Sequence, residues 1–232
     1  MGLTGAGGAL IAIPLFMQFL GMGLKEASVY SLVAVVVASL LNYVSQRKST
    51  QYLTAVLIVT ASSVGSYLAA PFKEQLSSSL VAVTLTLVSL YALFGIWRPV
   101  KDSSDNEISS RGNKSYSLGA GLILGVLTTF TGLGGGVLML PLFLNLFKFS
   151  HAQSISTSLL AVGLSSLASL VIQVMNGAHF DLNVDLIFLL IGVLASVFIL
   201  QLFVIRLPLP IIKLTRQVVF TFVVVLALLK IF

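Results

Sequence analysis

Uncharged, strongly apolar runs recur along the chain at about 1–20, 27–46, 52–70, 76–97, 116–147, 152–176, 184–205 and 211–232. Most have the length of roughly 20 residues that a helix needs to cross the apolar core of a bilayer. The gaps between them are short and polar, with Lys25-Glu26, Arg47-Lys48 and Lys73-Glu74 marking three. The longest gap, Arg98 to Ser115, carries Lys101, Asp102, Asp105, Glu107, Arg111 and Lys114, is rich in Ser and Asn and shows no periodicity. It reads as a linker. The pattern predicts an all-α, polytopic membrane helix bundle with a first unit at 1–97, a cytoplasmic linker at 98–115 and a second unit at 116–232.

The two units are copies. A shift of 127 positions, without a gap, sets Thr4, Gly5, Gly7, Gly8, Pro14, Leu15 and Phe16 on Thr131, Gly132, Gly134, Gly135, Pro141, Leu142 and Phe143. Farther on, Ser31, Leu32, Ala34, Ser39, Leu40, Gln46 and Gly65 fall on Ser158, Leu159, Ala161, Ser166, Leu167, Gln173 and Gly192. Matches of Leu and Ala are cheap in such a chain, but the Thr-Gly-x-Gly-Gly, Pro and Gln matches are not. The second copy opens with Tyr116 to Phe130, whose counterpart would lie before Met1, so the natural chain is expected to start upstream. The first residues carry no basic stretch or cleavage pattern of a signal peptide, and Ala6 stands where a myristoylation motif wants Ser or Thr.

The run from Tyr116 to Phe147 would make a helix of about 48 Å, too long for one straight crossing of about 30 Å. Gly132-Leu133-Gly134-Gly135-Gly136 in its middle predicts two half-helices joined by irregular backbone. If that pair threads the membrane, Arg47, Lys48, Arg98, Lys101, Arg111, Lys114 and Lys230 face Lys25, Lys73, Lys148, Arg206, Lys213 and Arg216, which is almost no bias. If it turns back, only Lys25, Lys73 and Lys230 oppose all the others, as the positive-inside rule prefers. A re-entrant pair leaves three full spans per copy, so the copies are expected to be inverted, an architecture of transporters.

Composition narrows the function. Of 232 residues 57% are hydrophobic and 9% charged, against about 25% charged in soluble domains, so lipid is the solvent. The net charge of +6 lies mainly between the apolar runs and reads as topology, with no nucleic-acid partner. Without Cys, and with only His151 and His179, no metal site or cofactor is expected. His179, Asp181 and Asp185 read as a solvated loop. No nucleophile with a base and no paired carboxylates fall within a span, which ranks an intramembrane enzyme last. No acidic residue, and no Lys or Arg, is expected mid-span, so a site built from backbone N–H, hydroxyl and amide donors suits an anion or a neutral solute.

The candidate donors are the two glycine breaks, Thr4, Gly5, Gly7 and Gly8 in one copy and Thr131, Gly132, Gly134, Gly135 and Gly136 in the other. Irregular backbone in hydrocarbon must lie against protein or a watery cavity, and a half-helix N-terminus favours an anion. Close helix packing is the alternative use of the glycines. Ser154, Ser158, Ser165, Ser169 and Gln173 share one helix face, and Ser31, Asn42 and Gln46 line the first copy; hydroxyl donation to a solute competes here with interhelical bonding and back-bonding. Pro14 and Pro141 are expected to kink the second half-helices or to start them.

Thr4-Gly-Ala-Gly-Gly with Pro14, Thr131-Gly-Leu-Gly-Gly-Gly with Pro141, and Ser-Leu-x-Ala at Ser31 to Ala34 and Ser158 to Ala161 resemble the TauE/SafE family of membrane permeases. The resemblance implies a multi-pass protein of the prokaryotic cytoplasmic membrane that moves small sulfur-containing anions or organic acids, such as sulfite, sulfoacetate and related sulfonates. The expected function is a secondary transporter, an exporter of such an anion working by alternating access. An anion channel and a non-transporting assembly factor are the alternatives. The expected partners are the small anion and the lipid bilayer, and a homo-oligomer stays open. The chain departs from the pattern in its missing first segment and in Ala9 where the second copy has Gly136.

Overall fold

A computed structural model describes residues 8–75 and 114–177, with isolated helical positions at 80, 83, 84, 86, 87, 191, 192 and 195. All elements among them are helical: α1 (Gly8–Phe19), α2 (Leu24–Gln46), a 3-10 turn (Arg47–Ser49), α3 (Tyr52–Gln75), α4 (Lys114–Thr131), α5 (Gly136–Asn145) and α6 (His151–Met175). Three stretches, Leu24–Ser49, Tyr52–Lys73 and Ala152–Met175, are long and apolar enough to cross a membrane, and Tyr116–Thr131 is a shorter apolar helix. The linker therefore yields its last two residues to α4. Thr4, Gly5, Gly7, the rest of the linker, the His179 loop and most of the spans expected over 76–97, 184–205 and 211–232 lie outside the described residues.

The helices are inside-out by the standards of a soluble protein. On α3 the side chains of Leu53, Val56, Val64, Tyr67, Leu68 and Phe72 are exposed while Thr54, Ser62 and Ser66 are buried. A surface of large apolar groups is stable only against lipid, whereas small polar residues let helices approach closely. Thr60, on the exposed face, returns its hydroxyl to the Val56 and Leu57 carbonyls at 3.0 Å each and so shows lipid no bare donor.

Three close approaches fix the directions of the helices. Lys73 bridges Ser28 and Gln173, Gly134 abuts both Val35 and Ser166, and Gly163 abuts Ser39 and Leu40, so α2 and α6 run antiparallel. The Gln51 amide donates to Thr157 Oγ1 at 3.0 Å, and with the Lys73–Gln173 contact this makes α3 parallel to α6. Along α4, Gly121 meets Ile58 and Ala61, and Gly125 meets Ser62, so α4 is parallel to α3. α1 lies on α2 as α5 lies on α6.

The α3–α4 contact is backbone against backbone. A Cβ on Gly125 would overlap the Ser62 carbonyl and one on Gly65 the Leu122 carbonyl, while Ser66 Oγ donates to the Gly125 carbonyl at 3.2 Å. Only hydrogen fits between these main chains.

The turn from α5 into α6 is built from aromatics and a cap. Phe143, Phe147 and Phe149 are buried with ring centroids 5.6 Å apart, and Lys148 between them takes a left-handed φ of 51°. Ser150 and Gln153 then form a capping box, the Gln153 amide donating to Ser150 Oγ at 3.3 Å and the Ser150 amide to Gln153 Oε1 at 3.2 Å. This sets the start of α6 beside Gln51, at the end of the bundle from which α3 and α4 rise.

Candidate functional site

The expected break in the second copy is present. α4 stops at Thr131 and α5 starts at Gly136, and between them Gly132, Gly134 and Gly135 take φ of 68°, 68° and 65°. Three left-handed residues in four positions would each cost a side chain about 1–2 kcal/mol, which is why the stretch is glycine. Thr131 to Gly136 are all buried, and Leu133 is part of the central apolar core. Val35, opposite Gly134, is about halfway along the 23-residue α2, whereas Ser28, opposite Gly132, is in its second turn. The break thus slopes from near one end of the bundle to its middle.

Donors and acceptors here divide sharply. The Gly132 amide is spent on the Thr128 carbonyl at 2.8 Å and the Leu133 amide on Thr131 Oγ1 at 3.3 Å. Past the break, the Leu138 and Met139 amides both reach the Gly135 carbonyl at 3.1 Å. Among the described residues the amides of Gly134, Gly135 and Gly136 have no hydrogen-bond partner, and no side chain caps the start of α5. Buried N–H groups are rarely left so, because each costs the free energy of a lost hydrogen bond. The carbonyls, by contrast, are served by hydroxyls: Ser31 Oγ donates to the Gly132 oxygen at 2.6 Å and Ser166 Oγ to the Gly134 oxygen at 3.4 Å. The break thus has its three glycine carbonyls occupied and presents donors.

The polar stripe separates into two groups. Ser158 and Ser165 return their hydroxyls to the Ile155 and Val162 carbonyls, Thr131 to Leu127, and Asn42 Nδ2 donates to Ala38 O at 2.7 Å, so in this state these side chains bond their own helices. Ser154 Oγ donates to Phe149 O, in the turn just before its helix, at 3.5 Å, and Gln46 is exposed. Ser169 and Gln173 instead join a network with Thr129 and Lys73. Pro14 and Pro141 lie inside α1 and α5, so neither is a helix-start proline; interior proline removes a backbone rung.

Lys73 requires a correction. The hydropathy pattern places it in a polar gap after the span. The structure extends α3 through Gln75 and leaves Lys73 only 3% exposed. Its ammonium donates to Ser28 Oγ at 2.8 Å and to Gln173 Oε1. Gln173 Nε2 donates to Ser169 Oγ at 3.1 Å, Ser169 and Thr129 hydroxyls are 3.3 Å apart, and Thr129 Oγ1 donates to Gly125 O at 3.0 Å. Gln173 is thus a buried member of the network. A signal was available: Ser62, Ser66, Ala69, Ala70 and Lys73 follow helical spacing, so the buried face of small residues on α3 ends in the lysine.

The family model for the sulfite exporter TauE/SafE matches residues 1–229. The chain belongs to this family. It is also similar to the probable membrane transporter protein YunE of Bacillus subtilis (strain 168), at 23% identity over 201 residues, covering 75% of this chain and 73% of the relative. No solved structure matches. With the apolar spans, this makes the TauE/SafE chain a multi-pass membrane transporter.

Proposed function

We propose that the protein is a secondary transporter of the prokaryotic cytoplasmic membrane that exports a small anion such as sulfite, sulfoacetate or a related organosulfonate by alternating access. One observation carries this reading: the buried amides of Gly134, Gly135 and Gly136, at a half-helix N-terminus without a side-chain cap, have donors to spare. Such a set of N–H groups stabilises negative charge with no ionisable group of its own. Export of a monovalent anion gains about 2.3 kcal/mol per 100 mV of inside-negative potential.

The inverted architecture has independent support. α2 and α6, aligned by the 127-residue shift, run antiparallel, and each carries the short helix that precedes it in sequence. α4 rises along α3 from the end at which α5 must deliver the chain into α6, as a re-entrant pair does. Burial of Lys73 removes it from the loop charges, so the turned-back topology leaves only Lys25 and Lys230 opposite the ten other basic residues. The Arg47–Lys48 end is then cytoplasmic.

The test is a thermal-shift screen of the full chain against sulfite, thiosulfate, sulfoacetate and acetate, followed by flux of the best ligand in proteoliposomes. A ligand at 100 times its Kd adds about 2.7 kcal/mol to stability. A saturable shift with saturable uptake is expected. Unitary currents in a bilayer recording would replace alternating access by a channel, and a protein that binds and moves none of the four anions would overturn the reading.

A further inference from the structure

The hairpin between α2 and α3 gathers two phenols and two cations at the edge of the bilayer. We propose that Tyr43, Arg47, Lys48 and Tyr52 hold the phosphate of an anionic phospholipid. The site does not depend on which solute the protein moves.

Position is the first argument. The spans Leu24–Ser49 and Tyr52–Lys73 meet at this hairpin, so Arg47 to Gln51 sit where hydrocarbon gives way to headgroups. Three bonds hold the hairpin in shape. Thr50 Oγ1 donates to the Arg47 carbonyl at 3.0 Å, the Gln51 amide donates to Thr157 Oγ1 on α6 at 3.0 Å, and the Tyr43 and Tyr52 hydroxyls are 3.2 Å apart. Tyr43 and Arg47 are four residues apart at the end of α2, where Arg47 keeps helical φ and ψ of −65° and −10°, so they share one helix face. The bond between the phenols brings Tyr52 of α3 to the same place, and Lys48 follows in the 3-10 turn.

Chemistry is the second. Arg47 and Lys48 are exposed, and neither forms an ion pair among the described residues. The carboxylates of the described helices, Glu26 in the first turn of α2 and Glu74 in the last turn of α3, belong to the opposite end of the bundle. Positive charge at the hairpin is therefore unanswered by the protein. A guanidinium forks onto two phosphate oxygens, and an ammonium adds a point charge beside it. The two phenols carry two protons and the bond between them uses one, so one O–H is left to donate to a third oxygen.

The surface next to these groups selects a lipid over a soluble anion. Val44 and Leu53, the neighbours of the two tyrosines, are 63% and 65% exposed, and Val56 and Val64 continue the exposed apolar face down α3. A phospholipid held by its phosphate lays its acyl chains along that face, whereas a soluble anion leaves it untouched. Tyrosine suits the boundary, its ring in the apolar edge and its hydroxyl among headgroups. In the turned-back topology this is the cytoplasmic leaflet, whose anionic lipids attract juxtamembrane basic residues.

The test follows the melting temperature of the delipidated full chain in detergent as phosphatidylglycerol or phosphatidylcholine with the same acyl chains is added. Each basic residue near an anionic headgroup contributes about fivefold, so the half-saturating mole fraction of phosphatidylglycerol is expected about 10- to 30-fold below that of phosphatidylcholine. Arg47→Gln combined with Lys48→Gln should bring the two lipids within about threefold while the lipid-free protein melts as before. Tyr52→Phe keeps every charge and removes one hydroxyl; it is expected to raise the phosphatidylglycerol requirement about 3- to 10-fold. Tyr43→Phe is read in the same way if Tyr52→Phe does not purify. Inorganic phosphate alone is expected to leave the melting temperature in place. Equal responses to the two lipids would overturn the site. So would a phenylalanine variant that binds like the unsubstituted chain, since attraction would then be diffuse surface charge. A shift with inorganic phosphate as large as that with phosphatidylglycerol would overturn the lipid as occupant.

Discussion

Gly134→Ala is expected to lower anion flux about 30- to 3,000-fold in proteoliposomes while the protein still inserts and purifies as full-length chain. Two costs add. A non-glycine residue at φ 68° carries about 1–2 kcal/mol of backbone strain. The new methyl would also stand 2.6 Å from both Ser166 Oγ and Val35 Cγ1, an overlap that typically costs about 1–3 kcal/mol. Ser166 and Val35 can turn aside only by giving up the Ser166 bond to the Gly134 carbonyl or their own packing, and the left-handed φ remains, so the break shifts and the three donor amides move from where they meet solute. About 2–5 kcal/mol of lost binding or strain converts to the flux range given, at 1.4 kcal/mol per tenfold. Gly134→Val should be worse, since its branches have no room on either side. Gly119→Ala is the control, because nothing lies within 4 Å of its Cβ. Gly134→Ala with normal flux would mean that the left-handed break has no part in transport.

The second large effect is structural. Gly125→Leu is expected to lower the melting temperature of the purified protein by about 6–12 °C, or to prevent a monodisperse preparation altogether. Its Cβ would lie inside the Ser62 carbonyl, and backbone cannot rotate aside as a side chain can. Overpacking of this kind costs about 3 kcal/mol or more, and each kcal/mol moves the midpoint of a chain of this size by about 2–4 °C. α4 would be pushed off α3, the Ser66 bond to Gly125 O would break, and the Thr129 end of the polar network would lose its anchor. Ile123→Ala, on the exposed side of the same helix, should change the midpoint by far less. Equal loss in both variants would show that α4 is not held by close backbone contact with α3.

What could be read in the sequence was what repeats or what exceeds a physical length. The ends of α2, α3 and α6 fall within a few residues of the predicted runs because hydrocarbon enforces the same periodicity-free apolar pattern on each. The break was legible because 32 apolar residues are too many for a span and four glycines in five positions are too many for a helix. The Ser31 and Ser166 contacts with the break were half legible: the alignment marks both residues as repeat-related positions, but which carbonyl each serves depends on how α2 crosses α6. The roles of Ser158, Ser165 and Asn42 were open for the same reason, since a hydroxyl or amide on a helix can turn to its own backbone as easily as outward.

Lys73 was misread because loop and span were divided by charge. A Lys-Glu pair after an apolar run usually marks the membrane surface, and this pair does lie at the end of a span. Whether the lysine points to water or into the bundle is settled by its register with Ser62, Ser66, Ala69 and Ala70, a pattern that hydropathy averages away.

The central claim is that the glycine amides of the break bind anion, and it can be observed at those amides. In full-length protein with 15N-labelled glycine, the amide resonances of Gly134, Gly135 and Gly136 should shift saturably as the best ligand of the thermal screen is titrated in, with the same half-saturation as the thermal response, while Gly119 and Gly177 stay in place. Resonances of Gly134, Gly135 and Gly136 that do not move while the protein is thermally stabilised would contradict the account, since the anion would then be held somewhere other than the break.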